Sequence, residues 1–456
     1  MTRSLRHAAV PLFLLACLLL GGSSQGIWRN FVLQSLGLAL TGWALLSSKR
    51  TLPTPAGRAL LVMVAAWFAL LLLQLVPLPP SLWTALPGRA AAVEGFALRG
   101  QPLPWLPLSL APTVTASTLP VMAVPLGVIA AMLWLGAYRS RWAVAALVLG
   151  AFVSILLGAL QLAQGGPYLY PIYNTGTAAG LFANSNHQGT LLLATIPFLA
   201  AIIGREQKRG RSGSNEGLSR ILIAVGGLLL LLLGIALYGS LAALLLAVPV
   251  GLASLVLALP RLAGGRRLIG GLAAVLLVVG VGGLTIASSP GSNQASYTSR
   301  ADIYARTGSA IADSFPVGTG IGSFESAYRL TEDADTVDRF FINHAHSDPL
   351  EWLLEAGLPG ALLLLAFLFW WVRQALRIWR AEQRELMALA GTIGAAAILA
   401  HSLVDYPLRD AAIQAVFALC LAFMAEPRSH AAARRSETGE RAARHLSLGD
   451  DEAVSG

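Results

Sequence analysis

The chain has 456 residues, of which 55% are hydrophobic and only 12% are charged, and its mean hydropathy is +0.66. This composition excludes an ordinary soluble enzyme, because a soluble surface needs far more charge. A net charge of +9 would suit a nucleic-acid partner only if a basic face were interleaved with aromatic residues, and the sequence has no such face. We therefore expect membrane lipids, and no nucleic acid, around this protein.

Apolar runs long enough to cross a hydrocarbon core of about 30 Å recur along the whole chain. They predict an all-α, polytopic integral membrane protein with about twelve transmembrane helices and a large, partly helical outer loop. The first run follows Arg3 and Arg6 and also resembles a signal peptide, but a first transmembrane helix is the favoured interpretation. The predicted spans are 8–22, 31–47, 58–77, 116–137, 142–163, 188–204, 220–238, 241–258, 268–287, 349–372, 385–404 and 408–425.

The distribution of basic residues predicts the orientation of these helices. If both termini are cytoplasmic, the segments on that side carry 24 of the 32 lysine and arginine residues, as the positive-inside rule requires. The loops on the outer face are then 78–115, 164–187, 288–348 and 405–407.

Three regions follow from this pattern. We expect five N-terminal helices with a proline-rich outer loop over 1–179, a second membrane region with the large outer loop over 180–425, and a disordered cytoplasmic tail over 426–456.

The segment from Tyr297 to Glu355 is too polar to cross a membrane as a helix. Ten of the 23 acidic residues lie between Asp302 and Glu355. Because charge is costly in a membrane protein, this concentration marks the candidate site of chemistry. Ser299 and Asp302 resemble a helix start and predict a helix from Arg300 to Ser314. Arg300 would then lie in the first turn, where a cation needs an anion nearby; a solvated arginine paired with Asp302 or another nearby acid is the alternative.

Two shorter patterns follow within this segment. The glycine run Gly318-Thr-Gly320-Ile-Gly322 predicts a tight turn, because the strand that a nucleotide-binding glycine loop needs is missing. Asp348, Pro349 and Glu351 predict a helix start with Asp348 as its cap. His346 would lie beside that helix start, which favours the neutral ring that a general base needs. The alternative is a histidine that caps its own loop.

Polar residues at two other helix ends complete the candidates. His401 and Asp405 are spaced to share one helix face, and Asn184-Ser-Asn186-His187 could cap a helix or bind a sugar. The histidines also suggest zinc, but no HExxH or comparable spacing is present, so we expect neither a metal nor a cofactor.

The order of these motifs resembles the O-antigen ligase and polymerase superfamily of membrane glycosyltransferases, which shares a Wzy-type C-terminal domain. The similarity covers roughly 180–410. It rests on Gly180-Leu-Phe-Ala-Asn184-Ser-Asn186-His187, Arg300 ahead of Asp313-Ser-Phe-Pro316-Val-Gly318-Thr-Gly320-Ile-Gly322-Ser-Phe324, His344-Ala-His346-Ser-Asp348-Pro-Leu350, Glu355-Ala-Gly357-Leu-Pro-Gly360 and His401-Ser-Leu-Val-Asp405.

The resemblance implies an enzyme of the bacterial inner membrane that needs no metal. Its donor would be a glycan on undecaprenyl diphosphate, attacked at the periplasmic face by a hydroxyl of a lipid or glycan acceptor. By position, Arg300 would bind the diphosphate and His346 would activate the acceptor hydroxyl. The candidate substrate-binding residues are Arg306, His344, Asn184, Asn186, His187, Arg329, His401 and Asp405.

The sequence departs from this family at two positions. Leu241 stands where the family commonly has a phosphate-binding arginine, and Ser347 stands where it has asparagine. Arg306, Arg329 or Arg409 could supply the missing cation; otherwise the donor differs or the activity is weak. A polysaccharide transporter or flippase and a catalytically impaired scaffold for polysaccharide assembly are therefore the alternative functions.

Overall fold

The computed structural model describes residues 3–47, 53–135, 141–170, 178–208, 215–258, 292–332 and 341–426. Within these ranges the chain is almost entirely helical. A pair of two-residue antiparallel strands, β1 (Pro77–Leu78) and β2 (Leu106–Pro107), closes the base of the proline-rich loop. The all-α prediction is confirmed.

The helices are α1 (Arg3–Leu20), α2 (Ile27–Ser47), α3 (Pro55–Gln74), α4 (Pro80–Trp83), α5 (Ala90–Leu98), α6 (Pro112–Thr118), α7 (Ala123–Trp134), α8 (Arg141–Gln164), α9 (Ser185–Lys208), α10 (Asn215–Leu237), α11 (Leu241–Ala258), α12 (Ser292–Ser314), α13 (Phe324–Arg329), α14 (Asp348–Arg380), α15 (Leu386–Ser402) and α16 (Ala411–Ala425). Short 3₁₀ helices span Leu119–Met122 and Pro407–Arg409.

Eleven of the predicted spans coincide with described helices, and the span at 268–287 lies outside the described residues. Within the described ranges, eight helical segments are long and apolar enough to cross a membrane, and α1, α15 and α16 contain shorter apolar helices. These findings confirm a polytopic membrane protein. α1 is part of the bundle, because Val10, Leu14 and Leu18 are fully buried in the core.

Helix α9 is the centre of the bundle. In its membrane-length window 94% of the residues are buried, against 17% in α3 at the periphery. It packs against α10, α11 and α15, while α1 packs against α8 and α16. Because lipid provides no hydrophobic drive between helices, close approach of small residues matters. Gly37 of α2 is such a point, since a Cβ there would lie 2.3 Å from the carbonyl oxygen of Ala123 at the start of α7.

Helix α14 is kinked near one end, and the glycine run packs into the kink. Gly357 has φ +56° and ψ −149°, and Gly318, with φ +80°, lies against it. The amides of Thr319 and Gly320 donate to the carbonyls of Leu354 and Glu355 at 3.0 and 2.9 Å. The run is therefore the tight turn that was predicted, and it leads into α13.

Helix α12 begins eight residues earlier than predicted, at Ser292 instead of Arg300. Nothing between Ser292 and Ser299 breaks a helix, so the serine that was interpreted as a cap lies inside the helix. The predicted end at Ser314, ahead of Pro316, is confirmed. Arg300 therefore lies in the helix interior, and the argument from the positive helix end does not apply to it.

Candidate functional site

Polar side chains from distant parts of the chain meet at one end of the bundle. The start of α9, the middle of α12, the 341–347 loop, the start of α14 and the 403–410 turn after α15 all lie there. These segments are the outer-loop and helix-end regions that the basic-residue pattern grouped on one face.

Asp405 is the centre of the first group of contacts. It is 1% exposed, and its carboxylate accepts a hydrogen bond from the Asn186 side chain at 2.6 Å and from the Tyr406 amide at 2.9 Å. Arg300 Nη2 lies 3.9 Å from Oδ2, and His346 Nδ1 lies 3.6 Å from Oδ1. We call Asp405, Asn186, His187, Arg300 and His346 the Asp405 cluster.

The electrostatics of this cluster favour the ionised carboxylate. Burial alone would raise the pKa of Asp405, but its contacts with His187 and His346 hold the pKa well below its usual range. Asp405 therefore carries a negative charge at neutral pH and attracts the cations around it.

His346 has a backbone conformation that is rare for a residue with a side chain. Its φ is +51°, and Tyr304 Oη holds it there by donating a hydrogen bond to its carbonyl oxygen at 2.8 Å. Such a conformation costs free energy and is found preferentially at functional sites. Its side chain is 25% exposed, and Nδ1 lies 3.6 Å from Asp405 Oδ1 without a hydrogen-bond partner. Nε2 also has no protein partner in the described part of the chain, so it is available to a ligand.

His187 links the cluster to a second buried acid. Its Nδ1 lies 2.6 Å from Asp410 Oδ2, and its Nε2 lies 3.8 Å from Asp405 Oδ1. His187 is 1% exposed, so it contacts Asp405 from the buried side of the cluster. Asn184 accepts from the Asn186 amide at 2.9 Å and thereby caps α9, while the Asn186 side chain binds Asp405.

A second group of contacts surrounds Arg409. Its Nη2 lies 3.2 Å from Glu351 Oε1 and 3.2 Å from Glu355 Oε2, and its Nε lies 3.6 Å from Asp348 Oδ1. Glu351 also lies 2.9 Å from His344 Nδ1. We call Arg409, Asp348, Glu351, Glu355 and His344 the Arg409 cluster. Burial lowers and the three carboxylates raise the pKa of Arg409, and the net result lies above its usual range.

Tyr406 lies between the two clusters. Its ring centroid is 4.9, 4.3 and 5.1 Å from those of His187, His344 and His346 respectively. Its side chain also hydrogen bonds with Asn184 and Asn343, and burial raises the pKa of the phenol, which therefore stays neutral. One half-buried aromatic ring thus contacts all three imidazoles.

The predicted pairing of His401 with Asp405 differs from the structure. α15 ends at Ser402, so the helix does not carry both side chains on one face. The Asp405 amide donates to the His401 carbonyl at 3.0 Å, whereas His401 Nδ1 is 2.8 Å from Thr190 Oγ1. His401 is fully buried. Its side chain lies near the Asp405 cluster but hydrogen bonds with Thr190.

Two predicted substrate-binding arginines lie away from the cluster. Arg306 donates to the carbonyl of Thr331 at 2.6 Å. Arg329 is 56% exposed and pairs with Glu325 on its own helix. Of the three arginines considered as replacements for the missing cation, Arg409 is the one that lies at the site, and its three acids already neutralise it.

The start of α14 is shifted by one residue from the prediction. Ser347 is the cap residue, and Asp348 and Pro349 are the first two helical residues. The shift arises because Asp348 binds elsewhere: its amide donates to the Asp405 carbonyl at 3.2 Å and its carboxylate accepts from the Leu408 amide at 3.3 Å. Glu351 does reach back over the helix end, to the Ala345 amide at 2.9 Å.

The turn that carries Leu241 also reaches this end of the bundle. Gly239 has φ +69°, and Ser240 Oγ caps α11 by accepting from the Ala243 amide at 3.3 Å. Ser240 and Ala243 pack against Gly189, two residues after His187. Leu241 therefore occupies an apolar position at the margin of a polar site.

Sequence reasoning missed Tyr406 and Asp410. Both lie in the six-residue stretch Asp405-Tyr-Pro-Leu-Arg409-Asp410, which holds three of the charged residues at the site. Three charged residues in a short turn between two apolar helices were the signal that could have pointed to this stretch. In the described part of the chain no group of three His, Cys, Asp or Glu side chains has an arrangement that could hold a metal ion.

The fold and the two clusters define a polytopic helical membrane protein with a histidine- and arginine-bearing polar site at one end of its bundle. Residues 226–365 match the family model described as O-Antigen ligase. The match confirms the resemblance to the O-antigen ligase and polymerase superfamily and supports a role in polysaccharide assembly. It contains Arg300, His344 and His346, and ends before His401. No curated protein matches the chain.

Proposed function

We propose that this protein transfers a glycan from undecaprenyl diphosphate to an acceptor hydroxyl at the periplasmic face of the bacterial inner membrane. The observation that carries the proposal is the convergence of Arg300 and His346 on Asp405. Both side chains lie within 4 Å of one carboxylate, so both can reach one sugar diphosphate, which spans roughly 15 Å.

Arg300 is suited to the donor. A guanidinium presents a planar fork that matches phosphate oxygens. In the described part of the chain its one ionic contact is the 3.9 Å approach to Asp405, which leaves most of its N–H groups available. Asp405 would keep the guanidinium oriented until the diphosphate binds.

His346 is suited to the acceptor. Asp405 lies 3.6 Å from Nδ1, and a carboxylate on that side favours the tautomer that carries its proton on Nδ1 and leaves Nε2 able to accept one. The acceptor oxygen forms a bond to the anomeric carbon while the bond from that carbon to the diphosphate oxygen breaks. The acceptor proton moves to Nε2, and undecaprenyl diphosphate leaves with the bonding electron pair.

The proposal is tested by replacing His346. His346→Ala should reduce glycan transfer about 10²–10⁴-fold, since the general base is lost, while the amount of folded, membrane-inserted protein stays unchanged. Transfer is measured with purified protein and lipid-linked donor. His7→Ala is the matched control, because His7 lies near the start of α1 and outside both clusters. This variant should transfer normally. Normal transfer by His346→Ala would remove the base from the scheme.

Two further measurements define the class of reaction. A chelator should leave transfer unchanged, because the scheme uses no metal. The acceptor that receives the glycan separates a ligase, which uses a lipid–core oligosaccharide, from a polymerase, which uses a second lipid-linked repeat. Accumulation of untransferred donor on the inner leaflet in a deletion strain would instead favour a flippase.

The orientation can be checked by labelling introduced cysteines from outside the cell. The positive-inside pattern predicts that a cysteine at 335 reacts, whereas cysteines at 212 and 446 are protected. Outside labelling at 212 would place the site in the cytoplasm and contradict the proposal.

A further inference from the structure

The end of α14 opposite the candidate site carries a shallow, open groove of about 540 Å³, and its described lining residues all lie between Phe369 and Ala381. α14 continues for 23 residues past its kink at Gly357, and at 1.5 Å per residue this straight part is roughly 35 Å long. It begins at Asp348 in the candidate site, so the groove near Arg380 lies at the far end of the bundle. Its lining includes Phe369, Val372, Arg373, Leu376, Arg377 and Arg380.

The groove combines apolar and cationic side chains in an ordered way. Phe369, Val372 and Leu376 are 68, 45 and 46% exposed and lie nearer the middle of the helix. Arg377 and Arg380 lie nearer its end, and Arg373 lies between Val372 and Leu376, so the three arginines are spaced four and three residues apart. One face therefore becomes more positive along the helix axis, from Phe369 toward Arg380, as a phospholipid changes from acyl chain to headgroup.

Within the described residues, no acidic side chain pairs with the three arginines. None of them has an ion pair or hydrogen bond with a described side chain, although Glu382 follows closely. Like charges three and four residues apart destabilise a helix. An anion held between Arg373 and Arg377 would remove this repulsion, and guanidinium forks suit phosphate oxygens.

We propose that this groove binds an anionic phospholipid, with its phosphate on Arg373 and Arg377 and its acyl chains along Phe369 and Leu376. Basic pockets on the cytoplasmic side of membrane helices are suited to such headgroups. The site is separate from the Asp405 cluster, so it stands whether or not the proposed transfer reaction does.

The test uses full-length protein in vesicles of phosphatidylcholine that contain a minor share of phosphatidylglycerol. Lipid that stays bound through detergent extraction is measured by mass spectrometry. The wild type should retain phosphatidylglycerol preferentially, and Arg373→Gln/Arg377→Gln should lower that preference on the order of tenfold. These side chains are exposed, so the variant should fold, which gel filtration verifies.

The matched control is Arg6→Gln/Arg384→Gln, which removes the same charge outside the groove lining. It should keep the wild-type preference. An equal loss in both double variants would show that net charge alone attracts the lipid and would overturn the site. Arg373→Lys/Arg377→Lys should give an intermediate preference, because the charge remains and the fork is lost. Displacement of the lipid by inorganic phosphate would contradict a phospholipid occupant, since the acyl contacts would then contribute nothing.

Discussion

The two polar clusters lie side by side, share Tyr406, and are built in opposite ways. Arg409 contacts three carboxylates at 3.2–3.6 Å, and two of them, on Glu351 and Glu355, are buried and held by further partners. Arg300 and His346 instead approach Asp405 only to 3.9 and 3.6 Å. A satisfied network fixes geometry, whereas a loosely paired one retains the capacity to bind a ligand. We therefore propose that the Arg409 cluster supports the site and that the Asp405 cluster carries the chemistry.

The largest expected effect is on stability, in the Arg409 cluster. Arg409→Met removes the cation and leaves buried carboxylates unpaired, which should cost about 3–5 kcal/mol of unfolding free energy. The measurement is thermal unfolding in detergent. Arg329→Met is the control: Arg329 is 56% exposed with one partner, so its loss should cost about 1 kcal/mol or less. Equal stability of the two variants would contradict the stabilising role of the Arg409 cluster.

The next effect is on transfer, in the Asp405 cluster. Arg300→Lys keeps the charge but cannot make the two-pronged phosphate contact. Hydrogen bonds to charged groups contribute about 1.5–3 kcal/mol, so transfer should fall about ten- to hundredfold. Arg306→Lys, on the same helix but bonded to Thr331, should transfer normally. A variant at Arg300 that transfers normally would show that the donor phosphate binds elsewhere.

The smallest expected effect is on transfer and follows from a change at Leu241, which lies where the polar site meets the apolar bundle. Of the three arginines considered as replacements for the cation missing at Leu241, Arg306 and Arg329 lie away from the site and Arg409 is neutralised by its acids. Leu241→Arg should therefore raise transfer a few-fold, measured at low donor concentration. Leu241→Met is the control for size and should change nothing. An unaltered rate in Leu241→Arg would mean that Arg300 suffices for the diphosphate.

The comparison also shows what the sequence can predict. Hydropathy located eleven described helices, because a membrane imposes length and apolarity on each span. The motif order singled out Arg300, His346 and Asp405, and these three side chains lie close together in the structure. It could not separate the two clusters, because their separation depends on which way the 405–410 turn folds back on α14. His344 and His346 are two residues apart and belong to different clusters for that reason.

Local rules failed where tertiary contacts replaced them. Asp348 resembled a helix cap, but its amide and carboxylate bind the 405–408 backbone, so Ser347 became the cap. Ser299 resembled a helix start, yet α12 continues back to Ser292. Capping patterns are local signals. At Asp348 tertiary hydrogen bonds override the signal, and at Ser299 the helix continues through it.

The most direct test of the account replaces one carboxylate in each cluster by its amide. Asp405→Asn and Glu355→Gln remove the same charge from buried positions, 1% and fully buried respectively. Unfolding temperature and transfer rate per folded molecule are measured for both. The account predicts that Asp405→Asn loses about a hundredfold or more of transfer with the smaller loss of stability. Glu355→Gln should lose more stability and keep near-normal transfer. The reverse pattern, or equal effects on both quantities, would contradict the division between a reactive and a supporting cluster.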